Sequence, residues 1–236
     1  MTSQIWHSGA HHVLYDAMLM PQPATDFFDP DWWQARNAVQ ARFSGRGQAL
    51  LVAHDGARWV LRRYLRGGLV AKVSNQTYVW TGLDNTRAWQ EWHLTAALRA
   101  QGLPVPRPVA AHVVRQGAWY RGDLLTEYLP GTQPFCDLLA AGQATPAHWQ
   151  RIGSVLRQLR EADVHHPDLN VRNVLIDAQD QVQVIDFDKA RFGTTAAQFA
   201  KDLARFKRSI DKFNAKQPTP CVREADWQTL LDVVNA

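Results

Sequence analysis

Asp168, Asn173 and Asp186 stand at spacings suited to phosphoryl transfer. The segment His166-Pro167-Asp168-Leu169-Asn170-Val171-Arg172-Asn173 follows the pattern H-x-D-L-x-x-x-N. Moving a phosphoryl group asks a protein for positioning and charge neutralisation more than for covalent chemistry. An aspartate beside the acceptor hydroxyl orients it and takes its proton, the role expected of Asp168. An asparagine on the same loop can hold a magnesium ion by its side-chain oxygen, the role expected of Asn173. Thirteen residues past Asn173 comes Asp186, within Val184-Ile185-Asp186-Phe187-Asp188. Asp186 is expected to bridge magnesium to the β- and γ-phosphates of ATP. The glycine usual after such an Asp-Phe pair is replaced by Asp188, which leaves the metal ligand in place. His166 is expected to support the loop by hydrogen bonding.

The first half of the chain offers the groups that would hold the nucleotide. Gly45-Arg46-Gly47 lies between two extended segments, where a loop covering ATP phosphates belongs. Glu91 lies mid-helix, where a glutamate should pair with a basic strand residue that touches the phosphates. Val60-Leu61 precedes Arg62-Arg63 where V-A-I-K is the common pattern. Arginine is longer and forked, so it is not a neutral replacement for lysine. Strand alignment favours Arg62 for this role, and Lys72 is the other candidate. Glu127-Tyr128-Leu129 is expected to offer backbone groups of Glu127 and Leu129 to the adenine.

These residues need a scaffold, and local signals outline one. The first forty residues read as a lead-in, with a helix start at Pro30-Asp31 before Trp32 and Trp33. Ala49–Ala53 and Arg58–Leu65 read as strands joined by an Asp55-Gly56 hairpin turn. Thr86 to Ala100 reads as a helix capped by Thr86 and ended by Gly102. The prolines at 104, 106 and 108 force extended geometry. Strands follow at Ala110–Val114 and Asp123–Leu129, and Pro130-Gly131 makes a turn. Beyond Thr145 the pattern becomes helical, with Ile152, Leu156 and Leu159 on one face. Val174–Ile176 and Val182–Ile185 read as short strands. Ala196–Lys216 reads as a long helix whose stripe Phe199, Leu203, Phe206, Ile210 and Phe213 faces a core, and whose opposite face carries Lys201, Arg205, Arg208 and Lys212 to solvent. A strand-rich first half and a helix-rich second half predict an α+β, two-lobed, protein-kinase-like chain. Its parts are a lead-in and β-rich ATP-binding lobe over residues 1–128 and a helical catalytic lobe over 129–236.

Composition narrows the remaining classes. At 236 residues and 46% hydrophobic content the chain can bury one large core or two small ones. No apolar run is long enough to span a bilayer, and the N-terminus lacks a secretion signal's basic and apolar segments. The two cysteines, Cys136 and Cys221, have no metal-ligand spacing and read as free thiols in a reducing compartment. His11-His12 and His165-His166 complete no zinc pattern. A net charge of +4 allows an anionic partner without naming one. No stripe of interleaved basic and aromatic residues suggests nucleic acid.

The chain resembles the 3-deoxy-D-manno-octulosonic acid (Kdo) kinases of Gram-negative bacteria. The resemblance rests on Gly45-Arg46-Gly47, Leu61-Arg62-Arg63-Tyr64, Arg66-Gly67-Gly68-Leu69, Thr86-Arg87 with Glu91, and Gly102-Leu103-Pro104-Val105-Pro106-Arg107-Pro108. It continues through Leu125-Thr126-Glu127, Asp168-Leu169-Asn170 with Asn173, and Asp186-Phe187-Asp188-Lys189. It implies transfer of the ATP γ-phosphate to the 4-hydroxyl of Kdo on a lipid A precursor, by a peripheral protein on the cytoplasmic face of the inner membrane. Arg63, Arg66 and Lys72, around the Gly67-Gly68 turn, are then expected to meet anionic groups of the acceptor or of the neighbouring lipid surface. Asn170 joins them on the acceptor side. The alternatives are a related kinase for a lipopolysaccharide heptose or another small hydroxyl compound, and a partner-binding pseudokinase. Intact Asp168, Asn173 and Asp186 argue against the last.

Overall fold

A computed structural model describes residues 1–43, 49–65 and 77–236. The chain forms two compact units, Met1–Ala96 with Arg107–Tyr128 and Ala97–Pro106 with Leu129–Ala236. The order is α+β, sheet first and helices after, as the sequence predicts.

The first unit is built on β1 (Ser3–Ser8), β2 (His11–Asp16), α1 (Pro30–Ala35), β3 (Val39–Phe43), β4 (Ala49–His54), β5 (Ala57–Arg63), β6 (Tyr78–Val79), α2 (Arg87–Ala100, whose last turn from Ala97 is counted with the second unit), β7 (Pro108–Gln116) and β8 (Trp119–Glu127). The strands make one antiparallel sheet in the order β1-β2-β7-β8-β5-β4-β3, with β6 also paired to β8. The β4–β5 hairpin turns at Asp55-Gly56, whose φ values of 47° and 80° are those of a two-residue hairpin loop. Successive residues of a strand point to opposite faces, and the core sorts accordingly. Val13, Tyr15, Ala110 and Leu125 pack on one face with Phe27, Phe28 and Trp33. Leu14, Ala111 and Leu124 pack on the other with Ala88, Trp89 and Trp92 of α2.

The first forty residues are therefore not a lead-in. They supply β1, β2 and the cover of one sheet face, with Trp33 fully buried and its indole N–H donated to the Phe27 carbonyl at 2.9 Å. Local pattern could not reveal this, because β2 finds its partner in β7, about a hundred residues on. The same pairing brings His11 onto His112, stacked with 3.1 Å between Nδ1 and Nε2.

The second unit contains β9 (Gln133–Pro134), α3 (Phe135–Ala140), α4 (Pro146–Glu161), β10 (Val164–His165), β11 (Val174–Ile176), β12 (Val182–Val184), β13 (Arg191–Phe192), α5 (Ala196–Asn214) and α6 (Glu224–Asn235). β12, β11 and β9 form a small antiparallel sheet, and β10 pairs with β13. α5 starts at Thr195, whose hydroxyl accepts the Gln198 N–H. Of the predicted stripe Phe199, Phe206 and Ile210 are buried, while Leu203 and Phe213 are half-buried. α6 was not anticipated. It packs on α4 at Gly153, where a Cβ would meet the Leu230 carbonyl oxygen at 2.7 Å.

Candidate active site

In the second unit one loop, between β10 and β11, carries Asp168 and Asn173, and it is tied at several points. Asp202 of α5, itself buried, accepts the His166 backbone N–H at 2.9 Å and lies 2.9 Å from His165 Nδ1. The Ser209 hydroxyl accepts the Val171 N–H at 3.0 Å. The side-chain amides of Asn170 and Asn173 both donate to the Asp168 carbonyl, at 2.7 and 3.1 Å. The loop is thus closed on itself around Asp168, whose side chain is about half exposed. His166 is buried, its Nε2 3.3 Å from the Ile185 carbonyl and its ring 4.8 Å from that of Phe187. Burial lowers the pKa of this imidazole, outweighing the Ile185 carbonyl and the carboxylates of Asp186, Asp202 and Asp168. A neutral imidazole with that contact is a brace between loop and strand end.

Asp186 is brought to the same loop by sheet register. Val174 faces Val184 across β11 and β12, and the Ile185 N–H donates to the Asn173 carbonyl at 2.9 Å. Asp186 then takes a φ of 65°, a left-handed conformation uncommon for any residue but glycine. Such backbone strain persists where the surroundings over-determine it, and it clusters at functional sites.

The sequence reading missed two residues here, both on α5. Asp202 is a charged residue three positions from Phe199, on the buried side of an otherwise apolar stripe; that misfit was the available signal. Arg205 was read with the solvated basic face. Instead its guanidinium donates to the Asp168 carboxylate, from 37 positions away. Nothing local to either residue announces that contact.

In the first unit Arg62 of β5 and Glu91 of α2 form an ion pair, and the Tyr64 hydroxyl donates to the same Glu91 oxygen at 2.5 Å. Glu91 is 4% exposed, so its charge is compensated by these partners and not by water. Arg63, expected on the acceptor, is engaged internally. Its Nε donates to buried Asp123 at 2.6 Å and its Nη2 to the Phe28 carbonyl at 3.0 Å. Its neighbour in sequence points the other way across the sheet, as alternation requires. The Glu127 and Tyr128 N–H groups are already bonded to the Arg107 and Arg58 carbonyls. Leu129 is left with an N–H that nothing among the described residues accepts, while its carbonyl receives the Thr132 hydroxyl at 2.9 Å. Gly45, Arg46, Gly47, Arg66 and Lys72 lie outside the described residues.

The model of the Lipopolysaccharide kinase (Kdo/WaaP) family matches residues 30–233. The chain belongs to this family. Among its curated relatives is a protein named 3-deoxy-D-manno-octulosonic acid kinase in Vibrio vulnificus, strain YJ016, 35% identical over 94% of both chains. Proteins of the same name in Vibrio cholerae and in Stenotrophomonas maltophilia, strain R551-3, are 34% and 35% identical over 95% and 92% of this chain, and 93% and 86% of their own.

A kinase of this family takes ATP as substrate, and ATP-using enzymes commonly work with magnesium. The donors present fit that ion. Asn173 spends its side-chain nitrogen on the Asp168 carbonyl, which turns its oxygen to other use. With the Asp186 carboxylate it makes a set of hard oxygen donors. Among the described residues no group of three or more His, Cys, Asp or Glu side chains could cage a metal by itself.

Proposed function

We propose that this protein transfers the γ-phosphate of ATP to the 4-hydroxyl of Kdo on a lipid A precursor, a step in building the lipopolysaccharide core. The observation that carries this reading is the match, across nearly the whole of both chains, to kinases named for that acid. The second unit's geometry supports the chemistry. Asp168 accepts the proton of the acceptor hydroxyl as the oxygen attacks the γ-phosphorus. The bond to the β–γ bridging oxygen breaks, and ADP leaves. Asn170 and Asn173 hold the backbone of Asp168, and His166 fixes the loop to the strand that ends in Asp186. Asn173 and Asp186 would hold magnesium, which would supply neutralisation of phosphate charge. In the first unit Arg62, oriented by Glu91 and Tyr64, is the phosphate-binding cation, and Lys72 is the other candidate. Gly45, Arg46 and Gly47 cover the phosphates, while Leu129 and Glu127 give backbone groups to adenine.

The place of action is the cytoplasmic face of the inner membrane. Among the described residues no helix is long and apolar enough to cross a bilayer, and the net charge of +4 favours an anionic surface. Arg66 and Lys72 remain the basic residues proposed to meet the lipid-linked acceptor, since the charge of Arg63 is used by Asp123. The test is to incubate the protein with labelled ATP, magnesium and a panel of Kdo, heptose and other hydroxyl acceptors, then identify the phosphorylated hydroxyl. Label on a heptose, or on none of them, refutes this assignment. Charge reversal at Arg66 should raise the Michaelis constant for Kdo-lipid, and raised salt should do the same, because screening shortens the reach of surface charge.

A further inference from the structure

Arg205 stands on α5 one turn beyond Asp202, the residue that anchors the catalytic loop, so its root is rigidly placed. Its guanidinium Nη2 donates to Asp168 Oδ1. The two side chains are 43% and 46% exposed, and an ion pair so open to water contributes at most about 1 kcal/mol. It is therefore easily exchanged. Yet it occupies a carboxylate oxygen of the residue that must meet the acceptor hydroxyl. The guanidinium is also only partly used: its Nε is buried, and nothing among the described residues accepts its N–H. Arginine presents Nε–H and Nη–H as a fork that matches the two oxygens of a carboxylate. A half-satisfied fork thus lies against the catalytic base.

We propose that Arg205 binds the carboxylate of the acceptor and so selects an acid over a neutral sugar. This inference rests on the functional reading above, in which the acceptor is an ulosonic acid. Before the acceptor arrives, the guanidinium is bonded to Asp168. The acceptor's carboxylate replaces Asp168 on the guanidinium, and the freed Asp168 meets the hydroxyl. One carboxylate substitutes for another, so the arginine is never left without a counter-charge. A neutral sugar offers no such exchange and meets an Asp168 that is still bonded. Sites built to pair with a polar group of the substrate reject analogues that lack it, because their own groups are then left unpaired. The surroundings favour an anion. Lys201, Arg208 and Lys212, at four before and three and seven after Arg205, share its face of the helix and are exposed.

The experiment compares wild type, Arg205→Lys and Arg205→Ala on lipid-linked Kdo and on an analogue whose carboxylate is reduced to hydroxymethyl. Turnover and the two Michaelis constants are measured separately. On the acid, Arg205→Ala should raise the acceptor constant about tenfold to a hundredfold, the span of one forked charge-assisted contact, and leave the constant for ATP unchanged. Arg205→Lys, a single point charge, should fall between. Wild type should lose the same factor on the reduced analogue, and Arg205→Ala should lose nothing further there. Equal losses for Arg205→Ala on acid and analogue overturn the proposal, as does a loss confined to turnover, which would make Arg205 a positioning residue for Asp168. A loss in the ATP constant overturns it as well, since the arginine would then serve the phosphoryl group. Arg205→Lys keeps the charge and guards against misfolding as the cause. If wild type phosphorylates neutral sugars and not the acid, the functional reading falls and takes this inference with it. If it phosphorylates the acid without dependence on Arg205, only this inference falls.

Discussion

Replacing Asp202 by alanine should damage both stability and turnover, although Asp202 is assigned no contact with substrate. The side chain is 3% exposed, accepts the His166 N–H at 2.9 Å and lies 2.9 Å from His165 Nδ1. A hydrogen bond to a charged group is worth about 1.5–3 kcal/mol, and a buried donor left without a partner costs about 1–3 kcal/mol. Removing a buried charge also returns its desolvation cost, which offsets part of the loss. The net expectation is about 2–4 kcal/mol lost from the second unit. Asp211→Ala on the same helix is the control. Asp211 is half exposed and pairs with Lys207 one turn back, so its loss should cost no more than about 0.5 kcal/mol. Asp202→Asn keeps one acceptor oxygen and should fall between. Urea denaturation measures all three. In the folded variant the loop that holds Asp168 has lost its anchor, and misplacement by an ångström costs on the order of a hundredfold in rate. Turnover should drop by about that factor in Asp202→Ala, with the Michaelis constant for ATP little changed. If Asp202→Ala matches Asp211→Ala in stability and wild type in turnover, the anchoring argument is wrong.

Asp168→Ala should lose about 10²–10⁴-fold in turnover while still binding ATP, whereas Asp186→Ala should lose turnover and magnesium-dependent ATP binding together; calorimetry with ATP separates the two. Arg62→Ala should lose phosphotransfer with the fold intact by circular dichroism, and if Lys72→Ala is inactive while Arg62→Ala is not, the strand alignment is mistaken. Gly153→Ala should destabilise by about 1–3 kcal/mol, because the 2.7 Å approach to the Leu230 carbonyl forces the helices apart and outweighs the roughly 1 kcal/mol gained by replacing glycine in a helix. His166 is held neutral by burial, so the unfolded chain binds a proton that the native state refuses. Its contribution to stability is complete above the unfolded pKa of 6.5 and falls below it by up to about 1.4 kcal/mol per pH unit; His166→Gln should flatten that slope in denaturation curves taken between pH 7 and 5.

What the sequence made legible is what short stretches encode. Asp55-Gly56 specifies its own hairpin, the Phe199–Phe206–Ile210 stripe specifies its own helix, and the spacing from Asp168 to Asn173 specifies one loop. Arg62 and Glu91 could be matched in advance because a known chemical requirement joins them. Contacts made by the fold alone were hidden. β2 needs β7; α6 needs Gly153 of α4; Arg63 needs Asp123, which alternation sends to one side of the sheet while Arg62 goes to the other. Asp202 and Arg205 belong to this second kind. Their side chains make sense only once α5 is laid against a loop more than thirty residues upstream.

The assignment of Ala97–Pro106 to the second unit has a consequence for how the chain is made. These residues leave the ribosome between the strands of the first unit, but the Pro104 carbonyl waits for the Val184 N–H, 3.0 Å away in the finished protein. That partner is synthesised about eighty residues later, a delay of about 4–16 s at ordinary translation rates. Leu103 and Val105, both buried in the end, must meanwhile be tolerated in water or shielded by a chaperone. β7 and β8 can complete their sheet during that interval, since all their partners have already emerged. A fragment ending at Tyr128 would hold the nascent chain permanently in this state: a sheet with every strand in place and ten residues of someone else's core hanging from it.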